Sequence, residues 1–195
     1  DLARQYAMPV YAPAAERIPG ATRALSDGDT VAVPGFPVFQ VLGVPGHTPG
    51  HIAFLSDNAL FCGDTLFGGG CGRLLGGTAA QLHASLLRLA GLPDETLIYC
   101  AHEYTLDNLR FALNVEPANA ALQTRLERDT QRRRAGLPTL PSSLGEEKRT
   151  NPFLRCHRPA VAAAASAHAG RQLDTPAEVF AALRRWKDHW HGQSA

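Results

Sequence analysis

The chain changes its grammar near residue 103, and that change limits the fold more than any other feature. Before it, short apolar runs are separated by Gly, Pro, Asp and Asn. Thr30-Val31-Ala32-Val33, residues 36–44, residues 51–55, Ala59-Leu60-Phe61-Cys62 and Thr96-Leu97-Ile98-Tyr99-Cys100 all read as strands. Pro9-Val10-Tyr11-Ala12 reads as a shorter one, after a helix end at Leu2-Ala3-Arg4-Gln5-Tyr6, and residues 14–27 as loop with a short helix. Thr78 is placed to cap a helix carrying Leu82, Leu86 and Leu89 at helical spacing, stopped by Gly91 and Pro93. Strands alternating with a covering helix define a layered α/β domain. Beyond 103 residues 105–115 and 117–135 read as helical runs, residues 159–169 as an alanine-rich helix, and Thr175-Pro176 opens a last helix running to about Trp190. Residues 136–153 read as a proline-punctuated connection. The expected organisation is therefore α/β over residues 1–103 and all-helical over 104–195.

Composition narrows the function classes. Hydrophobic residues make up 45% of the 195, enough for a packed core. A net charge of +1 gives no reason to expect nucleic acid or a membrane surface as partner. Arg132-Arg133-Arg134 reads as a solvated helix face, and no apolar run approaches membrane-spanning length. The four cysteines form no C-x-x-C pair, which argues against a structural zinc knuckle. Cys62 and Cys100 sit in apolar runs as small hydrophobes. The absence of a disulfide pattern points to a reducing, cytoplasmic setting. The glycine-rich stretch 66–77 lacks the G-K-[ST] ending of a phosphate loop and reads instead as a conformationally demanding active-site loop.

The chemistry concentrates at strand ends. The turn Gly46-His47-Thr48-Pro49-Gly50-His51 joins two strand runs, Gly63-Asp64-Thr65 ends the next, and Cys100-Ala101-His102-Glu103-Tyr104 ends a later one. Three strand ends thus deliver His47, Asp64 and His102, side chains suited to zinc, iron or manganese. Asp64 has two oxygens and can bridge two ions. Three ligands are too few to complete the coordination of two.

These motifs resemble, in order and spacing, those of the metallo-β-lactamase superfamily, and within it the hydroxyacylglutathione hydrolase (glyoxalase II) family. Phe61-Cys62-Gly63-Asp64-Thr65-Leu66-Phe67, Tyr99-Cys100-Ala101-His102-Glu103-Tyr104-Thr105 and Gly70-Cys71-Gly72-Arg73 carry the likeness in the first half. Thr150-Asn151-Pro152-Phe153-Leu154-Arg155 and Leu183-Arg184-Arg185-Trp186-Lys187 carry it in the second. The resemblance implies a metallo-β-lactamase-like αββα sandwich, incomplete at its N-terminus, followed by an all-helical glutathione-binding domain. It implies two divalent metal ions, zinc first, with His47 on one, His102 on the other, Asp64 bridging as the catalytic carboxylate, and His51 supporting. Arg184 and Lys187 would hold a glutathione carboxylate, with Arg73 and Tyr104 contacting substrate. Leu75 stands where the family has an aromatic contact.

The implied activity is hydrolysis of S-D-lactoylglutathione to D-lactate and glutathione by a metal-bound hydroxide, in a monomer whose partner is the small-molecule thioester. The family's His-x-His-x-Asp-His motif is absent, and no histidine precedes His47. The chain is therefore expected to be a fragment or truncated form with impaired catalysis. Two other readings are a persulfide dioxygenase-like enzyme using one iron, and a catalytically dead glutathione-binding fragment.

Overall fold

A computed structural model describes residues 2–6 and 8–190. The first elements are α1 (Leu2–Tyr6), β1 (Tyr11–Pro13), β2 (Arg23–Leu25) and β3 (Thr30–Val31). The strands that follow are β4 (Phe39–Gly43), β5 (Ile52–Ser56), β6 (Ala59–Gly63), β7 (Leu66–Phe67) and β8 (Gly70–Cys71). Then come α2 (Ala79–Ala90), β9 (Leu97–Cys100), α3 (Thr105–Val115) and α4 (Ala120–Arg134). The chain closes with β10 (Ser142–Ser143), α5 (Leu144–Thr150), a 3-10 turn at Pro152–Leu154, α6 (Pro159–Ala169) and α7 (Pro176–Asp188).

The main sheet has six strands in the order β10-β9-β6-β5-β4-β3. β3 to β6 form an antiparallel meander; β9 returns parallel to β6, and α2 lies in that connection because parallel neighbours need a crossover. One face is buried: Leu42, Val44, Ala53, Leu60, Cys62 and Ile98 meet Leu82, Leu86 and Leu89 of α2, with Phe153 and with Phe180 and Leu183 of α7. Period-two alternation sends Phe61 to the other face, where it stacks on Tyr99 at 5.1 Å between ring centroids. The α2 helix starts as its sequence dictates: Thr78 accepts from the Gln81 amide and Gln81 reaches back to the Thr78 amide. Thr175 and Glu178 do the same for α7.

Three segments differ from expectation. Residues 14–27 contain no helix; Arg23–Leu25 instead pairs parallel with β1 and drives Leu25 into a small cluster with Val31 and Val41. Pro19-Gly20 breaks any helical period there. The glycine-rich stretch contains a short antiparallel hairpin, β7–β8. The connection 136–153 is partly ordered into β10 and α5. A cue was present: Ser143 accepts from the Glu146 amide, an N-cap pattern hidden by the surrounding prolines and polar residues. Through β10 the otherwise helical second half also supplies an edge strand, Ser142 opposite Ile98 and Ser143 opposite Leu97.

Candidate metal and substrate site

A cleft of about 550 Å³ opens where the strand ends, the β7–β8 hairpin and α7 meet. The side chains assigned to metal or substrate from the sequence all line it, namely His47, Asp64, Arg73, His102, Tyr104, Arg184 and Lys187, while the supporting His51 does not. Asp107, Asn108, Phe67, Cys71 and Leu75 also reach it and were not assigned side-chain roles from sequence, Leu75 having entered only as a departure from the family's aromatic position. Asp107 had one available cue, its place in the first turn of α3, one turn from Tyr104.

The hydrogen bonds at the strand ends fix which nitrogens can serve as ligands. His47 Nδ1 lies 2.8 Å from the Arg73 carbonyl oxygen. A carbonyl can only accept, so Nδ1 carries the proton and donates. In the neutral ring Nε2 then presents a bare lone pair, 3.7 Å from Asp64 Oδ2. His102 Nε2 faces the other oxygen, Oδ1, at 3.3 Å. A lone pair facing a carboxylate is unfavourable until a cation or a proton lies between them. The donor set, two imidazoles and one carboxylate offering an oxygen to each, suits divalent cations. It is not a closed cage: among the described residues, no three His, Cys, Asp or Glu side chains converge on one point.

His51 has no lone pair to spare. Its Nδ1–H donates to the Ile52 carbonyl at 3.0 Å and its Nε2 accepts the Asp64 amide at 3.3 Å. Burial holds its pKa below the usual imidazole value, as this neutral, doubly bonded role requires. The ring packs so closely that Gly63, at φ +53°, has no room for a side chain: a Cβ would sit 2.6 Å from His51 Cε1. The preceding turn is braced by Glu16, whose Oε1 accepts from the Thr48 hydroxyl and, at 2.9 Å, from the Gly50 amide.

On the opposite wall Arg184 and Lys187 share a face of α7, but their situations differ. Lys187 Nζ pairs with Asp107 Oδ2 at 2.7 Å and lies 4.5 Å from the Trp190 ring centroid. Desolvation pulls its pKa below that of an ordinary lysine. Arg184 is 3% exposed, and its Nη1 donates to the carbonyls of Cys71 and Gly72 at 3.0 and 3.3 Å. Tyr104 is exposed and stacks on His102 at 4.9 Å between centroids.

Comparison with known proteins places this arrangement. Residues 2–102 match the metallo-beta-lactamase superfamily model. Among solved structures, ETHE1 from Myxococcus xanthus superposes with a TM-score of 0.56 at 28% identity, over 95% of this chain and 68% of that one. A second structure, TTHA1623 in a di-iron-bound form, gives 0.50 at 30% identity over 78% of this chain and 68% of that one. The fold and the strand-end donors define a metallo-β-lactamase-type metallohydrolase.

Residues 103–190 narrow the assignment, because they match the model of the hydroxyacylglutathione hydrolase C-terminus. Hydroxyacylglutathione hydrolase from Nitrosomonas europaea is 52% identical over 99% of this chain and 74% of its own length. Its namesake from Nitrosomonas eutropha is 54% identical over 97% and 75%. The chain belongs to the hydroxyacylglutathione hydrolase family and spans about three quarters of these relatives' length.

Proposed function

We propose that the intact hydrolase to which this chain belongs converts S-D-lactoylglutathione to D-lactate and glutathione, with His47, Asp64 and His102 among the ligands of two divalent ions, zinc first, and that the 195-residue chain carries this activity in impaired form. The observation that carries this reading is the single cleft lined both by those donors and by the cations Arg73 and Lys187. Divalent cations bound there supply water of lowered pKa and polarise the thioester carbonyl. His47 and His102, each facing one oxygen of Asp64 at 3.7 and 3.3 Å, would hold such ions, and the di-iron-bound form of a structural relative supports a site of that nuclearity.

The remaining work falls to positioning. Lys187 offers an ammonium to a glutathione carboxylate. Arg73 and Tyr104 line the same cleft and would help to orient the thioester there. The departing thiol has an unperturbed pKa of ~8.5 and leaves as a thiolate with little help from a general acid. A persulfide dioxygenase-like reading is weaker, because it gives no role to the helical half or to Lys187.

The test is a thioesterase assay on the purified chain with and without chelator. Hydrolysis of S-D-lactoylglutathione should be abolished by chelation and restored by zinc. Activity indifferent to chelator rejects the metal reading, and equal rates on an acyl thioester lacking glutathione reject the substrate assignment.

A further inference from the structure

We propose that Glu147 and Asn151 are positioning residues for the substrate: they hold the tip of the β7–β8 hairpin and so set where Phe67 and Arg73 stand in the cleft. The inference rests on the reading of that cleft as a glutathione thioester site. It deepens that reading by giving α5 and the turn after it a part in substrate binding.

The hairpin cannot place itself. Its strands, Leu66–Phe67 and Gly70–Cys71, are joined through Gly68 and Gly69. A pair that short has no independent stability, and glycines bring no side chains to order it. Its tip is held instead by polar side chains from the second half of the chain. Asn151 Nδ2 donates to the Gly70 carbonyl at 2.9 Å and lies 3.3 Å from the Phe67 carbonyl, so one amide spans both strands. Glu147 Oε2 accepts the Gly69 amide at 2.8 Å. Asn108 Nδ2 donates to the Gly68 carbonyl at 3.1 Å. The fit against α3 is close: a Cβ on Gly69 would come within 2.8 Å of Leu109.

The clamp is itself anchored. Glu147 and Asn151 are fully buried. Asn151 Nδ2 lies 3.2 Å from Glu147 Oε2, and its Oδ1 accepts from the Phe153 amide at 3.1 Å. The other Glu147 oxygen accepts from Arg125 Nη2 and Ser142 Oγ, each at 2.6 Å. Each oxygen thus faces a pair of donors. An ionised carboxylate only accepts, so Glu147 satisfies both pairs, whereas a glutamine would turn an NH2 toward one of them. What the clamp places is the wall of the cleft. The Phe67 ring meets Tyr104 edge-on at 5.5 Å between centroids, and Arg73 follows closely on the end of β8. Both line the cleft. Loosening the tip lets both shift, and a ligand that must find them in one arrangement then binds more weakly.

The test measures hairpin and binding separately. The probe is S-methylglutathione, a thioether with no bond for the hydrolase to cleave, titrated calorimetrically into the purified chain. Amide exchange at Gly69 is followed in the 15N-labelled chain beside the amides of α2. The variants are Asn151→Leu, Glu147→Gln and, as a control in the core of α6, Val161→Ala. In Asn151→Leu and Glu147→Gln the Gly69 amide should exchange faster relative to α2. The dissociation constant for S-methylglutathione should rise about tenfold, the equivalent of one lost hydrogen bond to a buried group. Val161→Ala should lower the melting temperature and leave both readouts at parent values. A purely structural role for the clamp predicts that all three variants behave like the control.

A folded Asn151→Leu that binds S-methylglutathione as the parent does overturns the proposal. If Asn151→Leu does not fold, Glu147→Gln decides by the same criterion. The parent chain supplies a check that needs no variant: by linkage, saturating S-methylglutathione should slow exchange at Gly69, and unchanged exchange there overturns the proposal. A parent chain that does not bind S-methylglutathione defeats the glutathione reading itself. One that binds it, with variants that bind equally well, defeats only the clamp.

Discussion

At the scale of single residues, the site depends on groups that touch no substrate. His51 spends both ring nitrogens on backbone and so fixes the Asp64 amide. Gly72 is packed so tightly that a Cβ there would fall on the Asp64 carbonyl oxygen, with His47 Nδ1 3.2 Å away. Gly72→Ala should therefore displace His47 and Asp64, the proposed metal donors, together. We expect thioesterase activity to be lost and stability to fall by ~1–3 kcal/mol, the usual cost of overpacking. Denaturant unfolding monitored beside the activity assay checks both. His47, Asp64 and His102 were legible in the sequence because punctuated strand ends advertise themselves. Arg184 was legible only as a charge. That its nitrogens point at backbone carbonyls more than a hundred residues away is a tertiary fact, and no local pattern records it.

At the scale of elements, the amphipathic helices α2, α3 and α7 were found almost to the residue from their spacing and caps, and α6 from its alanine-rich composition and the Gly170 that ends it. The short β10–α5 unit was missed because its ordering comes from a buried ionic network, not from apolar period. Glu147, fully buried, accepts from Arg125 Nη2 and Ser142 Oγ, each at 2.6 Å, while Arg125 also donates to Thr150 at 2.6 Å and to Asp129 at 3.4 Å. Arg125→Met would leave the buried Glu147 carboxylate without its cation, while Asp129 would keep Arg128 at 2.8 Å. The expected loss is ~3–5 kcal/mol, the range for breaking one side of a buried pair, read from the denaturation midpoint.

The contact between α2 and α7 adds a pH dependence. His83 stacks on Phe180 at 5.1 Å between centroids, and burial depresses its pKa below 6.5. Between its folded value and 6.5 the unfolded chain binds more protons than the folded one, so stability rises with pH across that window. This contribution is complete above about pH 6.5 and is lost on acidification. A His83→Leu variant should flatten that slope in unfolding curves taken at successive pH values; an unaltered slope would assign it to other groups.

At the scale of the whole molecule, the two family models meet between residues 102 and 103, yet the structure is sewn across that line. The edge strand of the main sheet, the side chains clamping the β7–β8 hairpin and half of the central core all come from beyond it. Residues 1–103 alone would expose the β9 edge and the apolar face that α7 covers. That segment should be insoluble or lack cooperative unfolding, whereas the 195-residue chain should melt in one transition; calorimetry distinguishes them. The sequence shows two grammars and therefore a boundary. It cannot show that the boundary is one of composition and not of folding, because Ser142 and Ser143 carry no strand signature of their own.

The ion pair between Lys187 and Asp107 has a consequence for turnover. Lys187 already has an anion at 2.7 Å before any ligand arrives, and every incoming carboxylate must evict it. Thioester substrate and free glutathione carry the same carboxylates and are penalised alike. On the proposed reading, Asp107 would be a resident competitor that weakens retention of the spent thiol as much as capture of its ester, favouring product release without a moving lid.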